Sequence, residues 1–116
     1  MARRRWRDYR TAAGTRPVRD FIMGLSDADA AAVLAGMAAV RMQGMRPARH
    51  LAGDIYEVRA EGDRQTFRIL FANEGKSGQV LLSLEGFSKK TQKTPPDKIR
   101  LAQRRLSDWR RRGRQG

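Results

Sequence analysis

The sequence contains no cysteine and one histidine, His50. Disulfides and thiolate metal sites are therefore excluded, and no Asp cluster has the spacing of a metal-binding loop. No glycine-rich segment follows a strand and opens a helix, so no nucleotide cofactor is expected either. Long apolar runs are missing too. Nothing approaches the roughly 18 apolar residues of a membrane span, and the basic start, Ala2 to Arg7, leads into polar sequence and not into a signal core. A cytoplasmic protein with no membrane partner is expected. Acidic residues are the last shortage: 12 Asp plus Glu face 25 Lys plus Arg, a formal charge of +13. An excess of that size repels itself unless a polyanion or an acidic protein neutralises it.

What the chain does have is concentrated between Leu51 and Pro96. Three apolar runs, Ile55 to Ala60, Gln65 to Ala72 and Gln79 to Phe87, are separated by Glu61-Gly62-Asp63-Arg64 and by Asn73-Glu74-Gly75-Lys76-Ser77-Gly78. Runs rich in β-branched and aromatic residues, with gaps of Gly, Asp, Asn and Ser, predict consecutive antiparallel hairpins. Strand alternation then sorts the side chains. One face collects Tyr56, Val58, Ala60, Phe67, Ile69, Phe71, Val80, Leu82 and Leu84. The other collects Glu57, Arg59, Arg68, Ser83 and Glu85, and the chain leaves the last strand through Lys89, Lys90 and Lys93.

The 116 residues suit one domain, 1–116, with a basic start and a frayed basic tail over 110–116. Trp6 to Thr11 reads as a fourth strand. Thr15 and Pro17 suit a helix start over Pro17 to Leu25, and Ser26-Asp27 suits a second over Ala28 to Met42, ended by Gly44. Met45 to His50 reads as a connection. Thr94-Pro95-Pro96 opens a third helix with Ile99, Leu101, Ala102, Leu106 and Trp109 on one side. The predicted order is β-α-α-β-β-β-α. It describes an α+β fold in which a small antiparallel four-stranded sheet packs with an N-terminal helical hairpin and a C-terminal helix.

Leu51-x-x-x-Ile55-Tyr56-Glu57-Val58-Arg59, then Phe67-Arg68-Ile69-Leu70-Phe71, then Leu84-x-Gly86-Phe87-x-Lys89-Lys90-Thr91-Gln92-Lys93-Thr94-Pro95 form a pattern. It resembles the HigB-like branch of the RelE/ParE toxin superfamily, including its phage-derived members. Trp6 to Gly14 and Pro17-Val18-x-x-Phe21 look like the opening of that branch. The resemblance implies a type II toxin that cuts messenger RNA, usually on the ribosome, and is silenced by a cognate antitoxin, often a helix-turn-helix protein. It also implies metal-independent chemistry in which the ribose 2′-hydroxyl attacks the adjacent phosphate and leaves a 2′,3′-cyclic phosphate.

On matching positions, Arg59 and Arg68 would hold the scissile phosphate, since a guanidinium can grip two phosphate oxygens. Lys89, Lys90 and Lys93 would add positive charge or the acid. Glu57 stands where RelE carries a basic residue, and Glu85 where many relatives have His. Either carboxylate could accept the proton, but an ordinary pKa near 4 makes it a weak base unless burial raises it. No late catalytic Tyr follows Lys93. Phe87 could stack on a base and His50 could touch RNA, and the terminal Arg clusters could add phosphate contacts.

Each site residue also has a structural reading. Arg59 and Arg68 could pair with Glu57 and Glu85 across strands. The lysines could form a solvated loop, His50 could be a surface or capping residue, and Tyr56 could belong to the core. Two other functions stay open: a ParE-like gyrase inhibitor that cuts nothing, and a non-catalytic RNA-binding protein.

Overall fold

The computed structural model describes residues 4–89 and 93–113, with the backbone alone at Lys89. Among these residues the fold is α+β, with three α-helices and a five-stranded mixed sheet. In chain order the elements are β1 (Arg5–Asp8), α1 (Pro17–Met23), α2 (Asp27–Gln43), β2 (Arg49–Ala52), β3 (Ile55–Glu61), β4 (Thr66–Glu74), β5 (Val80–Lys89) and α3 (Pro96–Arg111). The sheet order is β1-β5-β4-β3-β2. No helix among the described residues is long and apolar enough to cross a membrane.

The expected four-stranded antiparallel sheet is corrected in two places. β1 joins β5 in parallel, with Arg5 opposite Val80 and Asp8 opposite Ser83. Parallel pairing needs a long crossover, which the helices and β2 to β4 supply; side-chain alternation carries no information about strand direction. The second change is β2, formed from residues expected to connect α2 to the meander. It pairs antiparallel with β3, Arg49 opposite Glu57 and His50 opposite Tyr56.

Helix boundaries follow local chemistry. The Ser26 hydroxyl accepts from the Asp29 N–H at 3.2 Å and caps α2. Gly44, at φ +81°, ends α2 and donates its N–H to the Val40 carbonyl. Thr15 does not cap α1 as expected: Arg16 occupies that position without a side-chain cap. The Thr15 N–H donates to the Thr11 hydroxyl inside the preceding turn.

The helical hairpin covers one sheet face, where Val58, Phe67, Ile69 and Phe71 pack with Val18, Val33, Met37 and Val40. Tyr56 lies against this core. Gly86 permits the approach of α1, since a Cβ there would sit 2.5 Å from Phe21 Cδ2. The opposite face packs Ile55, Leu70, Ala72 and Phe87 with Ala102 and Leu106 of α3. Leu82 and Leu84 belong to this second core, contrary to the expected alternation. The cause is a β-bulge: Leu70 is opposite Glu85 but Phe71 is opposite Ser83, which leaves Leu84 as an extra residue. One extra residue inverts every position before it. Arg105 of α3 donates to the Leu84 carbonyl at 2.8 Å, so the irregular strand and the helix are tied together where the ladder is interrupted.

Candidate nucleic-acid interface

On the α3 side of the sheet, two cross-strand rows carry the charged groups. The first runs Arg49, Glu57, Leu70, Glu85 from β2 to β5; the second runs Arg59, Arg68, Phe87 from β3 to β5. Arg59 and Arg68 are direct neighbours on one face. Like charges so placed destabilise a sheet, and Glu57, two residues before Arg59, supplies the counter-charge. Its Oε2 accepts from Arg59 Nε at 2.9 Å, while its Oε1 lies 3.9 Å from Arg68 Nε. Thr94 completes the group: its hydroxyl donates to Glu57 Oε1 and accepts from Arg68 Nη1 at 3.4 Å.

Burial separates the two arginines. The Arg59 side chain keeps 26 % of its surface exposed, whereas Arg68 keeps 1 %. The expectation that both guanidiniums face solvent as a pair is therefore corrected. The segment carrying buried Thr94 returns beside β4 and is tied to Arg68 there. Burial lowers the pKa of Arg68, and the like charge of Arg59 lowers it further, against the pull of Glu57.

The remaining sequence candidates divide. Lys93 is exposed and immediately precedes Thr94, whose hydroxyl meets Glu57 and Arg68. Lys89 ends β5 opposite Thr66, its side chain lying outside the described residues. Lys90 also lies outside them. Glu85 is buried and engaged by α3, accepting from Lys98 Nζ at 2.8 Å and Arg105 Nη1 at 3.0 Å. Phe87 shares the arginine row but is only 7 % exposed, packed in the α3 core with Lys98 Nζ 5.3 Å from its ring centre. Its ring is thus covered, and not offered to a base. His50 pairs with Tyr56 and so faces the helical-hairpin side, away from Arg59; its Nε2 lies 2.7 Å from the Gly53 carbonyl oxygen.

Two members of the cluster were not anticipated. Arg49 is exposed and stands opposite Glu57, adding a third guanidinium to the face. Reading Arg49 and Leu51 as alternate residues of a strand would have placed it. Thr94 was read only as a helix opener; nothing in its local sequence points to Glu57, 37 positions earlier.

The arrangement can bind an anion. Glu57 holds the guanidinium of Arg59 through Nε, while buried Arg68 and Thr94 hold Glu57. Both Glu57 oxygens are engaged, and Glu85 is engaged likewise. Among the described residues, no group of three or more His, Cys, Asp or Glu could hold a metal ion. A family model described as phage derived protein Gp49-like (DUF891) matches residues 20–107. No curated protein matches the chain.

Proposed function

The chain belongs to the Gp49-like family, a family of RelE/HigB-like toxin type in general, and from that premise we propose that it is the toxin of a type II toxin–antitoxin pair. Its activity is that of an endoribonuclease cutting messenger RNA on the ribosome, in the cytoplasm. One observation supports this reading above the others: Arg59 is partly exposed and fixed by buried Glu57, on a face that also carries Arg49. A guanidinium held in one orientation is suited to a phosphodiester, because its fork matches two phosphate oxygens.

In the proposed reaction the 2′-hydroxyl gives its proton to solvent water as its oxygen bonds to phosphorus, while the bond from phosphorus to the 5′-oxygen breaks. Negative charge gathers on the phosphorus oxygens, where Arg59 and Arg49 stabilise it. Lys89, Lys90 and Lys93 extend the positive charge, and an ammonium among them returns a proton to the departing 5′-oxygen. Glu57 acts as a positioning residue for Arg59. Arg68 supports Glu57 from beneath. The partner that silences the toxin is a cognate antitoxin, a helix-turn-helix protein encoded beside it.

The engagement of both Glu57 and Glu85 favours a second reading, because neither carboxylate stands ready to take a proton. A toxin that binds its target without cutting, such as a ParE-like gyrase inhibitor, needs no base. Expression without the antitoxin, with messenger 5′ ends mapped, separates the two. New 5′ ends with growth arrest are expected, and Arg59→Ala should lower their yield by about 100-fold with the melting temperature little changed. Arrest with intact messages would end the nuclease reading, and damaged chromosomes would turn it toward gyrase.

A further inference from the structure

β1 and the end of α3 meet at the outer edge of the sheet, three strands from the one that carries Arg59. There Arg7 and Arg10 approach Arg16 at the start of α1 and Arg112 at the end of α3, around a polar groove of about 430 Å³. Trp6 and Trp109 line it from the helical-hairpin side and the α3 side of the sheet, and Asp8 is its one acidic lining residue. These are the only two tryptophans in the protein. Trp6 is held in place, donating from Nε1 to the Met37 carbonyl at 2.7 Å and meeting Phe71 edge-on.

The carboxylates beside this groove are already engaged. Asp8 takes Arg16 through two bonds of 2.6 and 2.8 Å. Asp108 takes the Tyr9 hydroxyl at 2.6 Å and the guanidiniums of Arg111 and Arg112. Among the described residues, Arg7 and Arg10 have no carboxylate at ion-pair distance. Four arginines, two of them already paired, thus line the groove with one neutralised aspartate, and an indole flanks it on each side of the sheet.

We propose that this groove is a second, sequence-independent binding site for single-stranded RNA. Arginines suit the backbone phosphates, and half-buried aromatic rings suit the bases of an unpaired strand, since every base has a stacking face. β1 is separated from β3 by three strand spacings, roughly 14 Å, so the groove is distinct from the Arg59 face. Binding here requires no cleavage and does not depend on the cleavage reading.

The tryptophans make the test direct. A uridine 12-mer titrated into the full-length protein, and into its Arg59→Ala variant, should quench tryptophan fluorescence in both. Arg7→Ala/Arg10→Ala should weaken that binding roughly tenfold and make it less sensitive to salt, lowering the slope of log Kd against log salt by about one unit for each phosphate no longer neutralised. Arg41→Ala/Arg46→Ala removes the same charge from exposed positions at the end of α2 and should change binding less than about twofold. Arg7→Lys/Arg10→Lys should restore most of it. Equal losses from both alanine pairs would reduce the groove to diffuse attraction and overturn the proposal. Unchanged fluorescence would overturn it too, as would a glutamate-rich peptide quenching as strongly as RNA, which would indicate a protein partner. Quenching by an unsubstituted protein that cuts no messenger RNA on the ribosome would sink the nuclease reading alone.

Discussion

Glu57 on β3 and Glu85 on β5 stand in one cross-strand row with Leu70 between them, both buried and both held by two cations. Their partners differ. Those of Glu57 are strand residues, Arg59 from its own strand and Arg68 from the next, with Thr94 added. Those of Glu85 come from a helix, Lys98 and Arg105, and Arg105 also binds the carbonyl at the bulge. The first glutamate therefore holds a guanidinium at the surface, and the second holds α3 on the sheet. Residue type, burial and row are the same in both, so only the origin of the cations tells a binding site from a fastening.

Replacing either glutamate's partners should break this symmetry in different measurements. The largest effect is expected from Arg68→Met. The change leaves buried Glu57 with Arg59 but without the cation beneath it, and weakening a buried ion pair in this way costs about 3 kcal/mol, read as a lower urea midpoint. Growth arrest should also be relieved, because Glu57, no longer held from beneath by Arg68, orients Arg59 less firmly. An unchanged midpoint would show that the arginine row is not held from beneath.

Glu85→Gln should be milder, lowering stability by about 1–2 kcal/mol through loss of charge-assisted bonds to α3, with growth arrest unchanged. Relief of arrest by a fully stable Glu85→Gln protein would erase the distinction between the two glutamates. The smallest effect concerns the other end of α3. The Tyr9 hydroxyl and then Arg112 hold the Asp108 carboxyl below its ordinary value of 3.8, despite an opposing effect of burial. A lowered folded-state pKa contributes stability that is present above pH 3.8 and is lost as pH falls toward the folded value. Asp108→Asn should therefore flatten the acid limb of a melting-temperature profile below about pH 4.

Much of this was legible without coordinates. The three hairpin strands, the Ser26 cap, the Gly44 stop and the amphipathic α3 rest on interactions within a few residues of one another, where periodicity and capping chemistry act. The shared face of Arg59 and Arg68 followed from alternation and an antiparallel pairing. The placements of Leu82 and Leu84 did not follow, because the bulge at Leu84 resets the alternation and no residue type announces it. The expectation for Phe87 as a stacking ring failed for a related reason: its exposure depends on α3, which covers it. His50 was read as part of a connection and given no side of the sheet; its place in β2, opposite Tyr56, assigns one.

The sequence by itself determined the charge excess, the meander, the helical segments and the arginine-bearing strands, since each depends on composition or on short-range pattern. Only the tertiary structure decided that Arg68 is buried while Arg59 is partly exposed, that Thr94 joins Glu57, and that β1 and the end of α3 share one groove. The physical reason is distance along the chain. Burial and counter-ion choice are fixed by segments tens of residues apart, and neither spacing nor residue type encodes which of them will meet.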